Sequence, residues 1–455
     1  MLKKSSIIAL SCAVCSFAVF SVSTFATSTL STPITLKSVT ADMEFLASDD
    51  LKGRKIGTLG ITQTENYIEQ QFKQAGLVPL KSLNSYKQTF NLITFTPKTI
   101  EVTLNNELIA NSDITFTGAL ETFNWQQSEV KQQVVAANDD LSAIIKQVNI
   151  QGDNTVLLVN SQHKELFQRY QNHFATGVKT TSARKQSALV MILTEQMSIT
   201  QLAINAVIIK SKQQLNNVIG VIPGTEKPDE FVTFSAHHDH LGTHVLSIED
   251  DATHNLVKPD NIYNGANDDA SGVTAVLNLA RYYSKHKPKR SIMFVTFTAE
   301  ESGLLGSSYF INDINSESII AMLNIEMIGK ASEFGPGKFW MTGYERSNLA
   351  SILNQQLQLN KQQIYADPYP KYRLFYRSDN ASLAKVGVPA HSISSTQMSN
   401  DHDYHQVSDN LASLDLVQMT DIINAIAFAS KPLIDAQQTP SRIEKAIAKP
   451  TGLIF

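Results

Sequence analysis

The sequence predicts an α/β protein: a three-layer α/β/α sandwich around a mainly parallel, mixed sheet, with a smaller α+β domain inserted in it. Three observations carry this expectation. From Asn216 onward, short apolar runs alternate with segments of helical periodicity, the order that builds a parallel sheet covered on both faces. Before that, from about Phe90 to Lys212, the texture differs. Short alternating runs such as Ile100 to Leu104 and Thr155 to Val159 lie among Gln- and Asn-rich stretches. Finally, acids and imidazoles collect where the later strands end, which is where such sheets place their chemistry.

The elements follow in order. Residues 1–26 read as a signal peptide: Lys3 and Lys4, an uncharged run from Ile7 to Val22, then Thr24-Phe25-Ala26 as a cleavage site. Residues 27–89 form the first part of the main domain. A helix starts near Ser38, and an amphipathic helix passes through Tyr67, Ile68, Phe72 and Ala75. Residues 90–212 are the insert, and 213–432 the rest of the main domain. Its expected strands are Val218 to Ile222, Phe231 to Ser235, Ser291 to Phe297, Ile319 to Ile325, Lys338 to Thr342 and Ala390 to Ile393. Its expected helices are Ser271 to Ser284, Ser302 to Asn312, Ser347 to Leu357 and Leu414 to Ala429. Residues 433–455 read as a loose or removable tail.

Composition narrows the function. A formal charge of −4 gives no footing for nucleic acid, and the leader apart, nothing calls for stable membrane association. The leader implies a secreted or periplasmic location. Both cysteines, Cys12 and Cys15, lie inside it, so any metal in the mature chain is held by His, Asp and Glu.

Such residues are concentrated. His237, His238, His240, His244 and His254 follow one strand, and His402 and His405 share a late loop. Asp268 opens a long helix, Glu300-Glu301 follow the strand to Phe297, and Glu326 ends the strand from Ile319. One Glu-Glu pair is usually a solvated surface feature. Several segments delivering acids and imidazoles to one end of a sheet make a carboxylate and histidine zinc site. Gathered in one cleft, Asp268, Glu300, Glu301 and Glu326 would repel, and two divalent ions would offset most of that charge.

Four ordered motifs also carry a resemblance: Ser-Ala-His-His-Asp-His-Leu-Gly at 235–242, Gly-Ala-Asn-Asp-Asp-Ala-Ser-Gly at 265–272, Thr-Ala-Glu-Glu-Ser-Gly-Leu-Leu-Gly at 298–306 and Tyr-His-Gln-Val-Ser-Asp at 404–409. With Leu-Ala-Ser-Asp-Asp-Leu-Lys-Gly-Arg at 46–54, the chain resembles the secreted bacterial two-zinc aminopeptidases. Their zinc exopeptidase superfamily also holds glutamate carboxypeptidase II, the glutaminyl cyclases and the transferrin receptor. The resemblance implies two zinc ions per chain, bridged by Asp268. His237 and Glu326 would complete one site, and Glu301 and His405 the other. Glu300 would be the general base acting on a water held by the zinc pair, and Asp239 would hold the His237 ring by a hydrogen bond. The substrate would be a peptide with a free N-terminus. Relatives often carry Asp where Glu326 stands, and often have a cis Asp268-Asp269 peptide.

Two weaker features accompany these. Arg377 and Asp379, in a segment resembling one near the substrate pocket, would contact one another or order their loop. His238, His240, His244 and His254 read as non-ligands, with His240 the likeliest of them to line the cleft, and His391 reads as a core histidine. Two alternatives stay open: a glutaminyl cyclase, which keeps one zinc, and a receptor or scaffold of the same fold that has lost its metals. Retention of every ligand position favours the two-zinc hydrolase.

Overall fold

The structure, a computed structural model, describes residues 33–244 and 260–446. The leader with Cys12 and Cys15, His254 and the last residues of the tail lie outside the described residues.

The main sheet is mixed, with four central parallel strands. Lys227–His237 lies between Arg290–Phe297 and Ile319–Ile325, and Ile319–Ile325 pairs with Ala390–Ser394, all parallel. Every residue of Arg290–Phe297 is buried, which explains its near-unbroken apolar character: a strand with helices on both sides has no solvent face. Alternate residues feed two apolar layers. Val232, Phe234, Ala236, Ile292, Phe294 and Leu323 face a layer that includes helix Ser271–Tyr283. Met293, Val295, Phe297, Ile319 and Met322 face the other, with Phe310 and Leu383. These are the three layers the sequence predicts.

Antiparallel strands flank this centre. Phe339–Met341 runs against Ala390–Ser394 and pairs on its far side with Ile364–Ala366, a strand absent from the sequence reading. On the opposite side, Arg290–Phe297 pairs with the end of a strand that runs from Leu202 to Ile222. That strand and its partner Lys87–Leu104 form a long antiparallel ribbon, registered from Lys87 opposite Val218 to Leu104 opposite Leu202, with one irregularity at Pro97–Thr99. The ribbon carries the second lobe. Within it, Lys131–Val135, Thr155–Val159, Ala188–Leu193 and Ile114–Gly118 form a separate four-stranded sheet. One face packs on helices Leu141–Gln151 and Lys164–Ala175 through Leu157, Val159, Phe167 and Phe174, and the other on the ribbon through Val102, Trp125, Val156 and Ile204. No loop marks the expected borders at 90 and 212, because both fall inside continuous strands.

The expected loose tail is packed as far as it is described. Arg290 donates to Gln438 O at 2.7 Å, Arg442 donates to Ile319 O at 2.8 Å, and Ile443 is buried.

Candidate active site

The parallel strands deliver their ends to one place. His237 is the last residue of its strand, Glu300 and Glu301 follow the strand ending at Phe297, and Glu326 follows the strand ending at Ile325. Asp268 lies in the turn before helix Ser271–Tyr283, and its peptide bond to Asp269 is cis. His405 comes from the loop before the last long helix, Leu416–Ala429.

Around Asp268 these side chains converge. His237 Nε2 is 3.0 Å from Asp268 Oδ1, and His405 Nε2 is 3.2 Å from Oδ2 and 3.4 Å from Glu301 Oε2. Ligand atoms of His237, Asp268 and Glu326 lie within 4.8 Å of one another, as do those of His240, Asp268 and Glu301. All five residues expected to hold metal are thus gathered, with Asp268 central. His240 joins them unexpectedly, with Nδ1 2.8 Å from Glu301 Oε1.

The donor set fits divalent cations on an observation of its own. Nε2 of His237 and of His405 is buried and has no aligned hydrogen-bond partner, although carboxylates stand close to each. Buried polar atoms are nearly always paired, and neutral imidazole lone pairs beside carboxylates are the usual ligands of zinc. Electrostatics agrees. Burial, then Glu326, Asp379 and Glu301, push the Glu300 carboxyl well above its ordinary range, against the pull of His237. Burial likewise lifts Glu326 to about 7 and Asp239 to about 6. Although burial opposes its ionisation, Asp268 is held well below the usual range by His237 and His405. Burial opposes protonation of His405, yet Asp268 and Glu301 raise it to about 10. Too many negative charges share one enclosed volume, and a pair of dications is the simplest compensation.

Outer contacts fix the geometry. Asp239 is in place, but its contacts differ from expectation. His237 Nδ1 meets the backbone carbonyl of Asp239 at 3.1 Å, with the carboxylate 3.9 Å away, and Asp239 Oδ1 instead accepts the Glu300 N–H at 3.0 Å. The chain turns so sharply after His237 that a carbonyl reaches the ring first. Glu326 Oε2 accepts from Ser378 and, at 3.1 Å, from Asn324 Nδ2, so one of its two oxygens is tied down. Ala299, Leu304, Met327 and His405 all have positive φ, a strained arrangement concentrated beside the acid and imidazole cluster.

Several supporting residues were not singled out from sequence. Asp409 accepts the N–H groups of Asn267 and Asp268 at 2.8 and 3.1 Å, binding the His405 loop to the turn that carries Asp268. Asp269 accepts from the N–H groups of His237, Gly272 and Met327, joining three loops. Arg54 is buried and donates to the carbonyls of Leu46, His238, Asn264 and Gly265. Tyr404 stacks on His405 with ring centroids 4.0 Å apart, and burial, Asp268 and Glu301 raise its phenol. All four, Arg54, Asp269, Tyr404 and Asp409, lie within the motifs that carry the family resemblance, which is the one signal the sequence held for them.

Beside the cluster lies a cleft of about 450 Å³, lined by the acids and by Met327, Trp340, Leu374 and Met398. Arg377 and Tyr404 also line it, whereas Asp379 is buried with neither carboxylate oxygen hydrogen-bonded, so of the two expected arrangements the contact between Arg377 and Asp379 is not made. His391 is a core histidine, held by Thr342 O and Ser347 Oγ.

Residues 217–429 match Peptidase family M28. A protein of Pyrenophora tritici-repentis named "Probable zinc metalloprotease" is 34% identical over 120 residues, 26% of this chain and 23% of its own length. Aminopeptidase Y of Saccharomyces cerevisiae is 25% identical over 205 residues, 41% of this chain and 33% of its own length. The matches therefore span a third or less of these relatives. Among solved structures, the zinc aminopeptidase BSAP of Bacillus subtilis has the same fold, with a TM-score of 0.53 at 15% identity, covering 91% of this chain and 99% of that one.

Proposed function

We propose that this protein is a zinc-dependent aminopeptidase that hydrolyses the N-terminal peptide bond of peptides with a free amino terminus. The observation that carries the reading is the convergence of His237, Glu301, Glu326 and His405 on Asp268, with imidazole nitrogens left unpaired among carboxylates. His237 and Glu326 would hold one ion, Glu301 and His405 the other, and Asp268 both. When bound, a zinc pair supplies Lewis acidity for the scissile carbonyl and lowers the pKa of water.

The chain's own residues do the rest. Glu300 is the base: it takes a proton from the attacking water and returns one to the leaving amine. Its backbone is fixed by Asp239, so its carboxyl is presented to the cleft in one place. The Tyr404 hydroxyl, beside the same acids, can donate to the carbonyl oxygen as that oxygen gains charge. The acidic end of the cleft suits a substrate's α-amino group, and the Trp340, Leu374 and Met398 wall suits an apolar first side chain. The M28 match and the name of aminopeptidase Y support the reading. Presence of both His237 and Glu326 favours two ions over the single zinc of a cyclase. The leader supports export to the periplasm or medium.

The test is Glu300→Gln on a panel of aminoacyl fluorogenic substrates. The variant is expected to keep two zinc per chain and lose about 10²- to 10⁴-fold in kcat. Full activity in the variant, or a zinc-loaded wild type that turns over none of the panel, overturns the proposal.

A further inference from the structure

We infer that His240 is a positioning residue for Glu301: its imidazole holds one carboxylate oxygen so that the other is presented to the second metal. The inference rests on the two-zinc reading and adds a residue to it.

The contact is short and enclosed. His240 Nδ1 lies 2.8 Å from Glu301 Oε1, and the side chains are 0% and 13% exposed. The other oxygen, Oε2, is the one that faces His405, 3.4 Å from its Nε2. Glu301 therefore has divided duties, one oxygen tied and one turned inward. An unsecured glutamate has three rotatable bonds, and freezing them on metal binding costs up to about 2 kcal/mol. A hydrogen bond already in place removes much of that cost.

The His240 ring cannot easily turn away. Gly265, in the left-handed region, lies flat against it: a β-carbon there would sit 2.5 Å from His240 Cδ2. The His405 ring meets it edge-on, with centroids 5.7 Å apart, and its backbone N–H is bound to Arg54 O. The requirement for glycine at 265 is thus partly a requirement of this ring.

The other metal site repeats the device. Glu326 Oε2 is held by Ser378 and Asn324, neither of which belongs to the set of expected ligands. Carboxylate ligands secured by an outer hydrogen bond lose roughly 10- to 100-fold in metal affinity when that bond is removed. His240 Nδ1 is engaged by Glu301, so a ligand role through that atom would require it to give up the carboxylate.

The experiment is zinc titration of the metal-stripped full chain against a competing chelator, which resolves two affinities. Three substitutions at 240 are compared with His405→Ala. His240→Phe keeps the ring and loses the donor. His240→Asn places an amide N–H near the position of Nδ1. His240→Gln carries the amide one bond farther out. We expect Phe and Gln to weaken the second zinc roughly 10- to 100-fold and leave the first within threefold, Asn to recover most of the loss, and His405→Ala to lose more than any of them. If Phe does not fold, the contrast between Asn and Gln decides. Second-site affinity within threefold of wild type in both Phe and Gln overturns the inference. So does a loss in Phe as complete as in His405→Ala, which would make His240 a ligand. Fewer than two zinc per wild-type chain would overturn the zinc reading itself.

Discussion

Replacing Arg54 with methionine tests whether one buried cation fastens the active-site loops together. The residue is 1% exposed. Nε donates to His238 O at 3.1 Å, Nη1 to Leu46 O at 2.8 Å and to Asn264 O, and Nη2 to Gly265 O at 2.9 Å. Methionine keeps most of the stem and removes every donor. Each carbonyl left without a partner costs about 1–3 kcal/mol if it stays dry, and the loops recover part of this by admitting water. Losing the cation also removes its attraction to Asp409, Asp268, Asp269 and Asp239. Relief from burying a charge works in the opposite direction, since burial itself disfavours the charged guanidinium. The balance is a loss of about 3–5 kcal/mol, typical of removing one member of a buried charged network. Arg54→Lys keeps the charge but has one ammonium for four dispersed carbonyls, so it should fall between wild type and methionine. The assay is urea denaturation of the zinc-free protein, which separates loop fastening from metal affinity. A loss under about 1 kcal/mol in methionine, or equal losses in methionine and lysine, would refute the reasoning.

Two further perturbations follow from other parts of the structure. His391 is buried and held near pKa 4, mainly by burial, against an ordinary value of 6.5. Its folded pKa is depressed, so the unfolded chain takes up a proton first as pH falls, and the stability His391 allows is full above about 6.5 and lost toward 4. This contributes about 2 kcal/mol of destabilisation between pH 7 and pH 5. The melting-temperature gap between zinc-free wild type and His391→Gln should therefore narrow in acid, and a pH-independent gap would count against it. Gly272→Ala would place a β-carbon 2.1 Å from Ile325 O and 2.5 Å from the Asp269 carboxylate. We expect the helix to be forced off the strand end, with a loss of about 1–3 kcal/mol in thermal or urea unfolding and impaired turnover; an alanine variant as stable and active as wild type would show that the helix has room to shift.

What the sequence made legible follows from where information is written. Strands such as Ile319–Ile325 are buried on both faces, so they appear as apolar runs, and the polar residues just beyond them are conspicuous by contrast. That contrast exposed His237, Glu300, Glu301 and Glu326. The three-residue strand Ile364–Ala366 is too short for alternation to show. The ribbon was divided at 90 and 212 because its polar middle reads as a change of domain, although pairing continues through it. The contact between His237 and Asp239 was assigned to the wrong oxygen because a backbone carbonyl carries no signature of its own. His240 was set aside because nothing local distinguishes a ring that reaches Glu301, 61 positions away, from one that only fills space.

The ribbon of Lys87–Leu104 and Leu202–Ile222 also governs how the second lobe can move. A lobe hung from a single peptide linker swivels about one or two bonds. This one hangs from two paired strands whose roots, Phe90, Leu92 and Leu215, pack on Ala299, the residue before Glu300. Tilting it means flexing a braced beam whose roots bear on the residue next to Glu300. The hinge of any such tilt therefore lies against the segment that carries Glu300 and Glu301.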